Sequence, residues 1–179
     1  MSKEKFSLEK MCKLALLIAV QVVLARFISV NTMGVRIGFS FIPVMLAAYM
    51  FGPISAGAVS ALADLIGVIL FPTGPFHPGF TIMAFCSGVV FGFLLDMERP
   101  DDFRFWLKAV LAILIHCLVI GLLINSIWVA QLYGSKTYGG WIVYRLTEYA
   151  IMIPVQIIFA PLVKKIARML SKAEKNHNQ

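Results

Sequence analysis

Six apolar runs, broken by short polar or kinked segments, set the limits on what this chain can fold into. A helical bilayer span needs about 17 to 25 mostly apolar residues. The runs cover about residues 11–28, 37–51, 54–71, 80–95, 105–132 and 141–163. Hydrophobic residues make up 60% and charged residues 14% of the 179, against about half and a quarter in soluble domains. The expected class is an all-α integral membrane protein. It is a bundle of six transmembrane helices in one domain over residues 1–179, with polar basic ends at 1–10 and 164–179. Lys3, Lys5, Lys10 and Lys13 stand at the first run, but no small-residue cleavage site follows it. The first run is therefore expected to stay in the protein as a span.

Charge placement orients the bundle. An even number of spans puts both ends on one side. Twelve of the 16 Lys and Arg lie on that side: in the N-terminal arm, in the 96–104 segment and just after it, and in the tail from Lys164. Cytoplasmic segments carry the cationic excess, so both termini are expected in the cytoplasm. The net charge of +7 then reads as topology and affinity for anionic lipid headgroups, with no call for nucleic acid. Cys12, Cys86 and Cys117 show no paired spacing. They read as small membrane-core residues, not as disulfide or metal ligands.

Four cations fall on the opposite side: Arg26, Arg36, Lys136 and Arg145. The three arginines share one depth near the ends of their spans. Ionisable residues at membrane depth are costly and usually face a cavity or a partner. Either each snorkels to headgroups or pairs locally, as Arg145 with Glu148 at i,i+3, or the three form a cationic site for an anionic solute. Asp64 is the one acid in the first five runs away from their ends, and it needs a donor. An arginine would serve, and so would the N–H edge of a heterocycle. His77, Asn125, Gln131, Tyr133 and Tyr149 offer further hydrogen bonds, though for Asn125 a helix–helix bond is the default. Trp128 and Trp141 fit an interfacial aromatic belt.

The stretch from Asp64 to Thr81 joins two runs through a connector with three prolines, two glycines and no charge. Pro removes backbone donors and Gly admits positive φ, so residues 72–79 are not expected to be continuous helix. Phe71, Phe76 and Phe80 bracket the connector and could stack a flat ligand. A cap over a pocket and a plain turn are both open on these grounds. With topology considered, a gating lid is favoured, with Asp64 as the floor beneath it. No Walker loop, no His-Glu-x-x-His and no Gly-x-Ser-x-Gly occurs, which argues against an enzyme, a resident cofactor or a metal. Nor do the halves show the inverted repeat common in secondary transporters.

These features resemble the substrate-binding S components of energy-coupling factor (ECF) transporters, and within them the folate type. The resemblance rests on Ala15-x-x-x-Ala19 in the first run, on the stretch from Arg36 to Pro53 ending Met-Phe-Gly-Pro, and on Phe-Pro-Thr-Gly and His-Pro-Gly-Phe-Thr within 71–81. It implies a high-affinity vitamin-binding subunit, with folate as substrate, in the cell membrane of a bacterium. It implies a transmembrane coupling subunit that meets Ala15 and Ala19, and two cytoplasmic ATPases that supply the energy. Transport by toppling in the membrane and closure of the 1–2 and 3–4 loops follow from the same likeness. Folate's flat ring and two carboxylates suit the candidate residues Arg26, Arg36, Asp64, Phe71, His77, Phe80, Arg145 and Tyr149. Riboflavin, thiamine or pantothenate S components share the architecture, and a self-sufficient carrier or a membrane scaffold is the alternative outside the class. Three arginines disfavour the cation thiamine.

Overall fold

The computed structural model describes residues 8–32, 35–72, 74–95, 103–134 and 137–177. Lys3, Lys5, Arg99 and Lys136, on which part of the topology argument rests, lie outside the described residues, as does Thr73 of the connector. The chain runs α1 (Leu8–Arg26), a hairpin of β1 (Val30–Thr32) and β2 (Val35–Ile37), α2 (Phe41–Leu70) and α3 (Pro78–Leu94). It continues through α4 (Phe103–Tyr133) and α5 (Tyr138–His177).

Three helices are long and apolar enough to cross a membrane: Phe41–Leu70, Phe103–Tyr133 and Tyr138–Glu174. Pro78–Leu94 is a shorter apolar helix. The apolar run of α1 is cut by Glu9, Lys10 and Lys13 at its start and Arg26 at its end. Large apolar side chains point away from the bundle all along these helices, among them Ile54, Ile69, Phe93, Val143 and Ile158. In water such a surface would be an aggregation hazard; lipid is the solvent that suits it.

α2 is not one straight helix. Gly52 takes φ 80° and ψ −173°, and Pro53 follows it. Positive φ favours glycine and proline cannot continue the hydrogen-bond ladder. The expected break between the second and third runs is therefore present as a corner. Beyond it, α2 lies against α3 backbone to backbone. A Cβ on Gly88 would strike the Ala56 carbonyl and the Gly57 nitrogen, and one on Gly92 would strike Pro53. Small residues at such crossings let helices approach closely, and packing of this kind drives association in lipid. The core beside this seam holds Met45, Ala48, Val59, Phe91, Ile113 and Cys117.

Several expected boundaries move. Ile37 belongs to β2, which pairs antiparallel with β1 as Val30↔Ile37, Asn31↔Arg36 and Thr32↔Val35. The segment between the first two runs is thus a hairpin, and the next helix starts at Phe41. Pro78 and Gly79 lie inside α3, because proline is accepted in a first helical turn whose N–H groups have no helical partner. α5 runs far past residue 163. The tail from Lys164 is helical to His177, and Lys164 is buried with its ammonium 3.8 Å from the Phe105 ring centre. Near the described ends of the chain, Lys13 Nζ meets Glu174 Oε1 at 2.8 Å, so α1 begins beside the last turns of α5. Trp141 is not at a lipid interface but buried in the bundle, between Tyr133 and Tyr144.

Candidate functional site

A cavity of about 320 Å³ has the connector at one end and runs down between all five helices. Small-molecule sites commonly fall in this size range. Arg26, Arg36, Gly74, Pro75, Phe76 and Tyr133 line its connector end. Arg26 can lie across α2 because residue 67 is glycine: a Cβ there would sit 2.7 Å from Arg26 Nε. A Cβ on Gly74 would sit 2.9 Å from the Tyr133 hydroxyl.

Arg145 is buried and held from several sides. Its Nε donates to Glu148 Oε2 at 3.3 Å, its Nη1 to Ser126 Oγ at 3.4 Å and its Nη2 to Tyr149 Oη at 2.7 Å. The Glu148 carboxylate also accepts from the backbone N–H of Arg36, which ties the hairpin to α5. Arg145 makes the local pair with Glu148, and it also lines the cavity. Tyr149 rests against α4 where Gly121 has no side chain. Asp64 receives the Thr81 hydroxyl from α3 at 2.7 Å.

Asp64 is not the floor. The cavity continues past it to Ser60, one turn back along α2, and on to Ser87, Phe91, His116 and Gln156. The small side chains of Ser60, Ala63, Ala84 and Ser87 leave that space open. Four polar atoms of lining residues are buried with no hydrogen-bond partner among the described residues: Gln21 Oε1, His116 Nδ1, Asn125 Oδ1 and Gln156 Oε1. Buried polar atoms are nearly always satisfied, so each exception calls for an explanation. The default helix–helix bond for Asn125 is not made through this oxygen.

The shape of α4 brings two of the four together. Residues Ile115–Ile124 form a π-helix. His116 and Asn125 are nine apart, which at 3.6 residues per turn would set them about half a turn from each other. The wider i→i+5 winding, roughly 4.4 residues per turn, returns them to one face. His116, Ile120, Gly121 and Asn125 accordingly all line the cavity.

Of the eight sequence candidates, Arg26, Arg36, Asp64, Phe80, Arg145 and Tyr149 line the cavity. Phe71 and His77 are not among its lining residues. Phe71 packs edge-on against Phe27, with centroids 5.0 Å apart. His77 caps α3, accepting from the Gly79 N–H at Nδ1, and stacks on Trp128 at 4.7 Å. Gln21, Ser60, His116, Glu148 and Gln156 were missed as site residues. The available signal was a polar side chain inside an apolar run. Ala15 and Ala19 are exposed on α1. Among the described residues, no group of three His, Cys, Asp or Glu is placed to hold a metal ion.

The family described as "ECF transporter, substrate-specific component" matches residues 9–164. The chain is 38% identical over 148 residues to the folate transporter FolT of Clostridium novyi (strain NT), covering 83% of each protein. It is 29% identical to FolT of Leuconostoc mesenteroides subsp. mesenteroides, over 80% of this chain and 78% of that one. A crystal structure of FolT bound with folic acid superposes with a TM-score of 0.80 at 32% identity, covering 89% of this chain and 94% of that one. The S component of a bacterial ECF transporter shares the fold, with a TM-score of 0.54 at 19% identity over 96% and 98% of the two chains. A match over most of the chain, with a relative this similar across most of both lengths, places the protein: it belongs to the substrate-specific components of ECF transporters, membrane proteins that bind a transport substrate and are not enzymes.

Proposed function

We propose that this chain captures folate from outside the cell and delivers it inward as the binding subunit of an ATP-driven importer. The observation that carries the reading is the charge gradient of the cavity. Arg26, Arg36 and Arg145 lie toward its connector end and outnumber the acids Asp64 and Glu148 there, and neutral polar groups and Phe91 line its depth. Folate is a flat, hydrogen-bonding ring system with an anionic tail of two carboxylates, and the gradient offers a place for each part. Likeness to the FolT proteins supports the same substrate.

The working assembly is a bundle of six spans, the two limbs of α2 on either side of Gly52 counting separately. Both termini are cytoplasmic and the connector end faces outward. The residues around Gly74, Pro75 and Phe76 act as a lid. Ala15 and Ala19 on the exposed face of α1 meet a transmembrane coupling subunit, and two cytoplasmic ATPases supply the energy. Binding of folic acid to the purified chain tests the substrate. Saturable binding is expected, reported by tryptophan fluorescence because Trp128 stacks on His77 beside the lid. A well-folded preparation that binds no pterin would refute the reading. A competition panel with riboflavin and pantothenate separates folate from sister substrates.

A further inference from the structure

We infer that Gln156 is a specificity-determining hydrogen-bond acceptor for the ligand's heterocycle, and that the buried thiol of Cys117 is the positioning group that aims it. The inference deepens the folate reading and rests on it.

Gln156 is 1% exposed, and its Nε2 donates to Cys117 Sγ at 3.3 Å. That contact anchors the donor end of the amide through one of its two N–H groups. The acceptor end, Oε1, is buried with no partner among the described residues, and Gln156 lines the cavity. An amide held by its nitrogen presents its oxygen, and a buried carbonyl oxygen on a cavity wall is satisfied by a bound water or by the ligand N–H that displaces it. Cys117 is fully buried in the π-helical segment, and that segment also brings His116, with its own partnerless Nδ1, to the cavity. Two helices thus supply the partnerless polar groups of the deep end.

Depth decides which part of the ligand Gln156 meets. It stands eleven residues beyond Arg145 on α5, which at the helical rise is about 16 Å. An anionic tail is drawn to the arginines, so the deep end receives the neutral ring. The 2-amino group and ring N–H of a pterin are donors, the complement of Oε1.

The test uses the full-length chain in detergent micelles and three probes: folic acid, pterin-6-carboxylate as the ring, and p-aminobenzoyl-glutamate as the tail. Gln156→Met keeps the bulk and removes the acceptor. It is expected to weaken folic acid and the pterin on the order of tenfold, the scale of one well-placed hydrogen bond, and the tail fragment by less than about twofold. The ligand-free Gln156→Met protein is expected to unfold at an unchanged or higher temperature, because a partnerless buried oxygen has gone. Cys117→Ala leaves Gln156 free to rotate and is expected to weaken ring binding about threefold or more, with Cys117→Ser restoring most of the loss.

Equal losses for ring and tail, a Gln156→Met protein that binds folic acid as before, or one destabilised without ligand, would each overturn the inference. If Gln156→Met does not fold, the Cys117 pair decides: equal affinity in Cys117→Ala and Cys117→Ser overturns it. If the original chain binds riboflavin and not folic acid, the folate reading falls alone, and Gln156→Met is then judged on that ring; binding of pantothenate, which has no ring, in place of folic acid overturns both. No binding of any of these to the original chain overturns both.

Discussion

The Thr81 hydroxyl donates to Asp64 Oδ2 at 2.7 Å, joining α3 to α2 at the level of the cavity. A carboxylate at membrane depth needs donors, and one comes from a residue seventeen positions along the chain. One hydroxyl cannot saturate two carboxylate oxygens, so Asp64, which lines the cavity, keeps accepting capacity on that side. Thr81→Val should therefore cost about 1.5–3 kcal/mol, the range for a hydrogen bond to a charged group. Thr81→Ser should recover most of it. Chemical unfolding in micelles measures both, and equal stability of the Val and Ser forms would show that the bond contributes nothing.

Arg145 and Glu148 are both buried, with 7% of each side chain exposed. Removing one charge strands the other, so Arg145→Met should destabilise by about 3–5 kcal/mol. Replacing both, as Arg145→Met with Glu148→Gln, should cost less than Arg145→Met alone. A double-mutant cycle on unfolding free energies reads the coupling. A double variant weaker than the single would mean that Glu148 draws its support elsewhere, for instance from the Arg36 backbone.

The α2–α3 seam depends on absent side chains. Gly92→Ala and Gly88→Ala drive a methyl group into the backbone at Pro53 and Ala56, and each should cost about 1–3 kcal/mol by overpacking. Gly139→Ala is the contrast. Its added Cβ meets nothing within 4 Å, and alanine favours a helix over glycine by up to about 1 kcal/mol. Thermal unfolding should fall for the first two and hold or rise for the third.

Ala15 and Ala19 are exposed and absent from the cavity lining. Leu at both positions should leave folate affinity within about twofold, since no binding contact changes. Folate uptake by cells carrying the whole importer should be abolished, because close helix approach needs small residues. Binding and uptake are measured on the same variant. Loss of both would move these alanines from a partner face to a folding role.

Much of this protein is legible from hydropathy and charge. The apolar runs, the Gly52-Pro53 break and the gathering of Arg26, Arg36, Asp64 and Arg145 at one cavity follow from the energetic cost of charge and proline in apolar helices. Sequence alone did not determine which face of each helix turns inward. In lipid both faces of a span are apolar, so the polar–apolar periodicity that marks an inward stripe in water is largely lost. Gln21, His116 and Gln156 are single polar residues in apolar runs, and the runs do not show that they share one cavity. The π-helix decided that His116 and Asn125 lie on one side, against the 3.6-residue winding. The meeting of Ser60 and Ala63 on α2 with Ala84 and Ser87 on α3 decided how deep the cavity runs past Asp64. Those outcomes come from close packing between helices, which depends on partners far apart in the chain.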